Sequence, residues 1–188
     1  PTRRSSDLTY GDGHHLGTWD VWGRKYTLLG LIAYYDATGS ARALEAACRV
    51  ADHLMEEAPP GEFNLTENGI DVLKGLSSSS VLEPLALLYQ RTGEPRYLEM
   101  AEEIVACWSK PNRFFAEGHR LIEQALAEVP PERIGSKKAY EMMSCFEGLC
   151  EMFRITGEQR YLDAAVAFAG TVREKEIMVH GSGSNKEL

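Results

Sequence analysis

Apolar residues recur along this chain at three- and four-residue steps, the period of one helix face, and strict two-residue alternation is nearly absent. One pattern appears three times. "AYYDATGSARALEAACRVADHL" starts at Ala33, "LLYQRTGEPRYLEMAEEIVACW" at Leu87 and "EMFRITGEQRYLDAAVAFAGTV" at Glu151. With Thr38-Gly39, Thr92-Gly93 and Thr156-Gly157 in register, an aromatic precedes each Thr by three residues: Tyr35, Tyr89 and Phe153. A leucine follows by six (Leu44, Leu98, Leu162) and an alanine by nine (Ala47, Ala101, Ala165). Each repeat reads as an αα-hairpin. Glycine takes the left-handed position that ends one helix, and Ser40, or Glu94 with Pro95 at the first helical position, starts the next. The periodicity predicts helices over 18–37, 40–56, 78–91, 95–109, 120–128, 137–155 and 159–175, with the three leucines buried. The fold class is therefore all-α. The Thr-Gly pairs lie 54 and then 64 residues apart, too irregular for a short-period solenoid. Hairpins closing an α/α toroid suit that step, with the long polar connections 57–76, 110–119 and 129–136 available to build a site at one end.

Composition narrows the classes. The chain has 188 residues, enough for one domain with a real core. Its net charge of −8 lacks the basic face of a nucleic-acid binder. No apolar run reaches membrane-spanning length, so no membrane partner is expected. Cys48, Cys107, Cys145 and Cys150 sit inside helical apolar patterns without metal-ligand spacing. They read as buried small hydrophobes of a reducing, cytoplasmic compartment. Residues 1–8, "PTRRSSDL", have neither an initiator Met nor an apolar h-region and look like a translated sequencing adapter. They are expected to form an irregular arm, and residues 9–188 a partial domain that continues beyond both ends.

Candidate chemistry lies in four stretches. In "GTWDVWGRKYTLLGLIAYY", Trp19, Asp20, Trp22, Lys25 and Tyr26 crowd a helix start, with Thr18 as its N-cap. This is either a capped helix with core aromatics or a sugar-binding surface, where aromatic faces stack on the ring and polar tips take hydroxyls. In "KGLSSSSVLEPLALLY", one of Ser77 to Ser80 caps a helix and the others can line a polar pocket. In "GSKKAYEMMSCFEGLCEMFRITG", Glu141 and Glu147 are acid/base candidates, although Glu147 shares a stripe with Ser144 and Glu151 that reads as a solvated face. His119 and His180 each stand alone. The last stretch, "EIMVHGSGSNKEL", carries one carboxylate, Glu187, behind a Gly/Ser run.

Taken together, "WDVWGRKYTLLGLIAYYDATG", "SSSVLEPLALLYQRTGEPRYL", "KAYEMMSCFEGLCEMFRITGEQRYL" and "GSGSNKEL" resemble consecutive blocks of glycoside hydrolase family 127, the β-L-arabinofuranosidase-like enzymes of the six-hairpin glycosidase superfamily. The resemblance covers about residues 17–188. It implies an (α/α)6 toroid followed by β-domains, and retaining hydrolysis of a furanosidic bond on a carbohydrate substrate. It also implies a zinc-bound cysteine nucleophile, held with two further Cys and one Glu, all beyond Glu187; none of the four cysteines here is promoted to that set. Glu187 corresponds to the family's general acid/base, and the glycines before it let the backbone turn one carboxyl toward a glycosidic oxygen. Trp19, Asp20, Trp22, Lys25, Ser78 and Lys138 are expected near the substrate. Trp19, Ser78 and Lys138 stand where the family carries sugar-binding histidines, a departure that leaves the particular sugar open. The chain alone is expected to be inactive. A sugar epimerase on a similar toroid and a non-catalytic helical-repeat interaction module are the alternative readings.

Overall fold

The computed structural model describes residues 16–68, 74–135, 138–178, 181 and 183. Three antiparallel hairpins dominate: α1 (Thr18–Thr38) with α2 (Ala41–Glu57), α4 (Leu82–Thr92) with α5 (Pro95–Cys107), and α7 (Ala139–Thr156) with α8 (Gln159–Lys175). Among the described residues two short α-helices accompany them, α3 (Leu76–Ser79) ahead of α4 and α6 (Leu121–Leu126) against α8. No strand occurs among the described residues. The chain forms an all-α arc of an α/α toroid.

The tight hairpin turns explain the recurring Thr-Gly pair. Gly39, Gly93 and Gly157 have φ of 69°, 71° and 71°, and each donates its N–H to the aromatic carbonyl four residues back, at 2.7–2.8 Å. The threonine makes a second link. Thr38, Thr92 and Thr156 donate their hydroxyls to the carbonyls of Tyr34, Leu88 and Met152. The same hydroxyl oxygens accept the N–H groups of Ser40, Glu94 and Glu158 at 3.1–3.3 Å. One side chain thus ties the last turn of a helix to the N-cap of the next, satisfying a backbone donor that the reversal would otherwise strand.

Contacts between hairpins fix the layers. Near the starts of their helices, Lys25 of α1 meets Glu83 of α4, and Tyr26 meets Tyr140 of α7. Near the ends, Arg91 of α4 pairs with Asp36 of α1 at 2.8 Å, and Gln90 donates to Glu151 of α7 at 2.8 Å. Helices α1, α4 and α7 therefore run parallel as an inner layer, with α2, α5 and α8 outside. All three inner helices start at the end where the long connections enter.

The core lies between the layers. Leu28, Ile32, Leu54, Leu85, Leu88, Met100, Leu149 and Met152 are fully buried, and Phe146 stacks on Phe168 with centroids 3.9 Å apart, joining α7 to α8. The repeat alanines Ala47, Ala101 and Ala165 are buried where outer helices approach closely. The repeat leucines are not: Leu44, Leu98 and Leu162 are half-buried at the shoulders of that seam.

The single helix expected over 78–91 is two. Pro84 has no N–H for the Ser80 carbonyl, so a continuous helix would lose that bond and crowd the ring, and the chain pauses at Ser80-Val81 between α3 and α4. Gly75 caps α3 at φ 80°, where an added Cβ would lie 1.9 Å from the Thr66 carbonyl oxygen.

Candidate functional site

The starts of the inner helices carry the sequence's main chemistry. Gly17, not Thr18, is the N-cap of α1. Asp20 closes that end by accepting the Gly17 N–H at 2.8 Å, while the Gly17 carbonyl accepts from Asp20 and Val21. Thr18 is buried in the first turn. Trp19 and Asp20 are exposed on the face, and Trp22 is half-buried one turn on.

Lys25 lies beneath them, 2 % exposed. A buried ammonium is costly unless its charge is answered. The Glu83 carboxylate stands 3.7 Å away, and the rings of Trp22 and Tyr26 have centroids 5.2 and 5.3 Å from Nζ, within cation–π range. Burial pushes the Glu83 carboxyl above the usual carboxylate range, with Lys25 opposing the shift and Glu147 and Glu151 adding to it. Above the lysine, the Tyr26 hydroxyl donates to the Tyr140 hydroxyl at 2.8 Å, bridging α1 and α7. Trp22 meets the edge of Tyr26 at 5.4 Å and lies 5.6 Å from Tyr140. Burial, and then the bond to Tyr140, raises the Tyr26 hydroxyl far above its ordinary range, so it remains a neutral donor.

The expected site residues divide by depth. Trp19, Asp20, Trp22 and Lys25 are brought together by the first two turns of α1. Lys138 is half-buried at the N-cap of α7, two residues before Tyr140. Ser78 is fully buried beneath the face, and its hydroxyl donates to the Asn68 carbonyl at 3.0 Å. The other serines do not cap the helix either: Ser79 donates to the Gly75 carbonyl and Ser80 to the Ser77 carbonyl. Glu187 and His180 lie outside the described residues, as do residues 1–8. On α7, Glu147 is exposed but Glu141, Ser144 and Glu151 are buried, so the stripe is not a solvated face. The sequence left Glu83 and Tyr140 unremarked. Glu83 was recoverable only as a charge inside an apolar run, and Tyr140 as an aromatic beside Lys138.

His119 is fully buried and does not face this site. Asn112 fixes its tautomer. The Asn112 Oδ1 accepts the N–H groups of Phe114 and Phe115, each at 2.9 Å, which leaves its amide NH2 to donate to His119 Nδ1 at 3.0 Å. His119 Nε2 therefore carries the proton and donates to the Lys74 carbonyl at 2.5 Å. That latch fastens the 110–119 connection to the residue before Gly75 and the serine helix.

The cysteines do not fit a zinc site. Burial pushes Cys145 up to about 12 and Cys107 up to about 11, favouring thiols over the thiolates zinc requires. Cys145 Sγ donates to the Leu76 carbonyl and Cys107 Sγ to Glu103. Among the described residues no three His, Cys, Asp or Glu side chains group closely enough to hold a metal. Nor, among the same residues, is any helix long and apolar enough to cross a membrane.

Residues 4–187 match the family model of the β-L-arabinofuranosidase, GH127 catalytic domain. The chain belongs to that family and carries part of a glycoside hydrolase catalytic domain. It is 24% identical over 167 residues to the non-reducing end β-L-arabinofuranosidase of Bifidobacterium longum subsp. longum, covering 80% of this chain and 24% of the relative. The chain thus spans about a quarter of that curated relative's length. No solved structure is a significant match.

Proposed function

We propose that this chain supplies the sugar-receiving face and the proton donor of a retaining glycosidase that removes a non-reducing-end sugar, with a β-L-arabinofuranoside as the substrate class. Family membership across residues 4–187 carries the reading. The face at the starts of α1, α4 and α7 supports it, with exposed aromatics beside Asp20 and Lys138 and a buried cation below. Trp19 and Trp22 contact the sugar ring, Asp20 and Lys138 take its hydroxyls, and Lys25 and Ser78 hold the face from beneath. Glu187 protonates the departing glycosidic oxygen, which would otherwise leave as a strongly basic alkoxide. Zinc, where the full enzyme binds it, would supply an activated thiolate. Cys48, Cys107, Cys145 and Cys150 do not serve as that nucleophile, and no step is assigned to them.

The binding half of the proposal is tested on the 188-residue chain. Methyl β-L-arabinofuranoside is titrated while tryptophan emission is followed. Saturable quenching is expected, and Trp19→Ala should weaken it about tenfold, in line with one lost aromatic contact. Absence of saturable binding by the unaltered chain would reject the sugar face.

A further inference from the structure

We propose that the Tyr26–Tyr140 pair, with Glu147, forms a sugar subsite of its own: one ring stacks on Tyr140, and its hydroxyls are read by the paired phenols and the Glu147 carboxylate. The inference rests on the glycosidase reading and assigns residues that the family resemblance did not.

Three independent observations converge on it. The first is exposure. Tyr140 is 55% exposed and Tyr26 41% exposed, and both lie at the starts of inner-layer helices, on the same face as the exposed Trp19. Two neighbouring aromatics left in water, with polar tips, have the make-up of a carbohydrate platform.

The second is the hydroxyl bond itself. The Tyr26 and Tyr140 hydroxyls stand 2.8 Å apart and share one hydrogen bond. Whichever phenol donates, the other keeps its proton for a ligand oxygen, and both oxygens keep acceptor lone pairs. The pair offers one donor and one acceptor side by side, matching adjacent hydroxyls on a sugar. Glu147 adds a second acceptor. It lies seven residues beyond Tyr140 on the same face of α7, and its charge acts on both Tyr26 and Glu83.

The third is support from below. A pair of exposed tyrosines on two different helices is a loose device unless the helices are locked. Here Lys25 sits under the Tyr26 and Trp22 rings and is tied to Glu83 on α4, so two inner helices, α1 and α4, meet at one buried charge. Trp22 touches both tyrosines and limits their rotation. The buried ammonium thus braces Tyr26, and Trp22 carries that support across to Tyr140. A ring held in place loses less freedom when the ligand arrives.

The test uses the 188-residue chain with methyl β-L-arabinofuranoside as probe, followed by saturation-transfer NMR and by tryptophan emission. Tyr140→Ala should weaken binding about tenfold or more, and Tyr140→Phe about threefold, retaining the stacking and losing the hydroxyl with its bond to Tyr26. Glu147→Gln should weaken it less than Tyr140→Ala. Tyr140 is largely exposed, so both tyrosine variants should keep the parent's unfolding midpoint and can be compared directly. If the parent binds, Trp19→Ala weakens binding and Tyr140→Ala does not, the subsite is overturned while the glycosidase reading stands. If Tyr140→Phe loses as much as Tyr140→Ala, the stacking role is overturned. If the parent does not bind, both readings fail together.

Discussion

A glycine and its neighbour show how much one residue can fix. Gly75 and Gly39 both hold a positive φ, 80° and 69°, yet their surroundings differ. At Gly39 an added Cβ meets nothing within 4 Å, while at Gly75 it falls on the Thr66 backbone. Gly39→Ala should cost about 1–2 kcal/mol, the price of the left-handed backbone alone. Gly75→Ala should exceed that by about 2 kcal/mol or more, since rigid backbone must also move. Urea unfolding of the two variants checks the order, and equal losses would show that the 65–75 connection yields easily. Only half of this was legible in the sequence. The Thr-Gly glycines announce themselves by recurrence and local turn chemistry. Gly75 depends on Thr66, nine residues away across a connection with no periodic pattern. Lys25 was legible as a charge near two tryptophans, but its burial was not, because its counter-charge Glu83 sits 58 residues along the chain. Ser78 illustrates the reverse error: its polarity suggested a pocket wall, and its hydroxyl is spent on a buried carbonyl.

Helices were the easiest level to read, because their ends are set by nearby residues. Apart from the start of α4, the three hairpins match their expected spans to within about two residues, the usual uncertainty of an end. The failure came at Pro84, which is compatible with a first helical turn and so did not by itself forbid a longer helix starting earlier. The repeat leucines failed for a different reason. Period alone identifies a face but not which position on it lies deepest in the seam, and there the smaller alanine won. Thr92 gives the element-scale prediction. Its hydroxyl bonds to the Leu88 carbonyl and accepts from Glu94, so Thr92→Val keeps shape and removes both links. The expected loss is about 1 kcal/mol, comparable with loss of an N-cap. A change within error in urea unfolding would mean that Gly93 alone ends α4.

At the scale of the whole molecule, the buried His119 latch couples the long connections to pH. Burial lowers His119 below its ordinary range, so the folded state resists a proton that the unfolded chain accepts. Its contribution is present above about pH 6.5 and is lost as pH falls through that value toward the lowered folded one. Protonation would also place two donors, the His119 Nδ1–H and the Asn112 amide, against each other. Glu83, raised by burial, acts with the opposite sign at more acidic pH, so the readout is the difference between variants. Parent chain should lose more stability between pH 7.5 and 5.5 than His119→Gln, and parallel profiles would remove the latch from the account.

The reading of the molecule as part of a glycosidase bears most directly on Glu187, the carboxylate behind the Gly/Ser run. In the intact protein carrying this chain, Glu187→Gln keeps size and removes the transferable proton. The deciding measurement is steady-state turnover of two β-L-arabinofuranosides, one with an alkyl leaving group and one with the acidic p-nitrophenol. Turnover of the alkyl glycoside should fall by roughly two to four orders of magnitude, with substrate affinity little changed. The p-nitrophenyl glycoside should be affected far less in its first step, because its leaving group departs without protonation. Unchanged turnover of both substrates would reduce Glu187 to a polar loop residue and contradict the assignment of the proton donor to this chain.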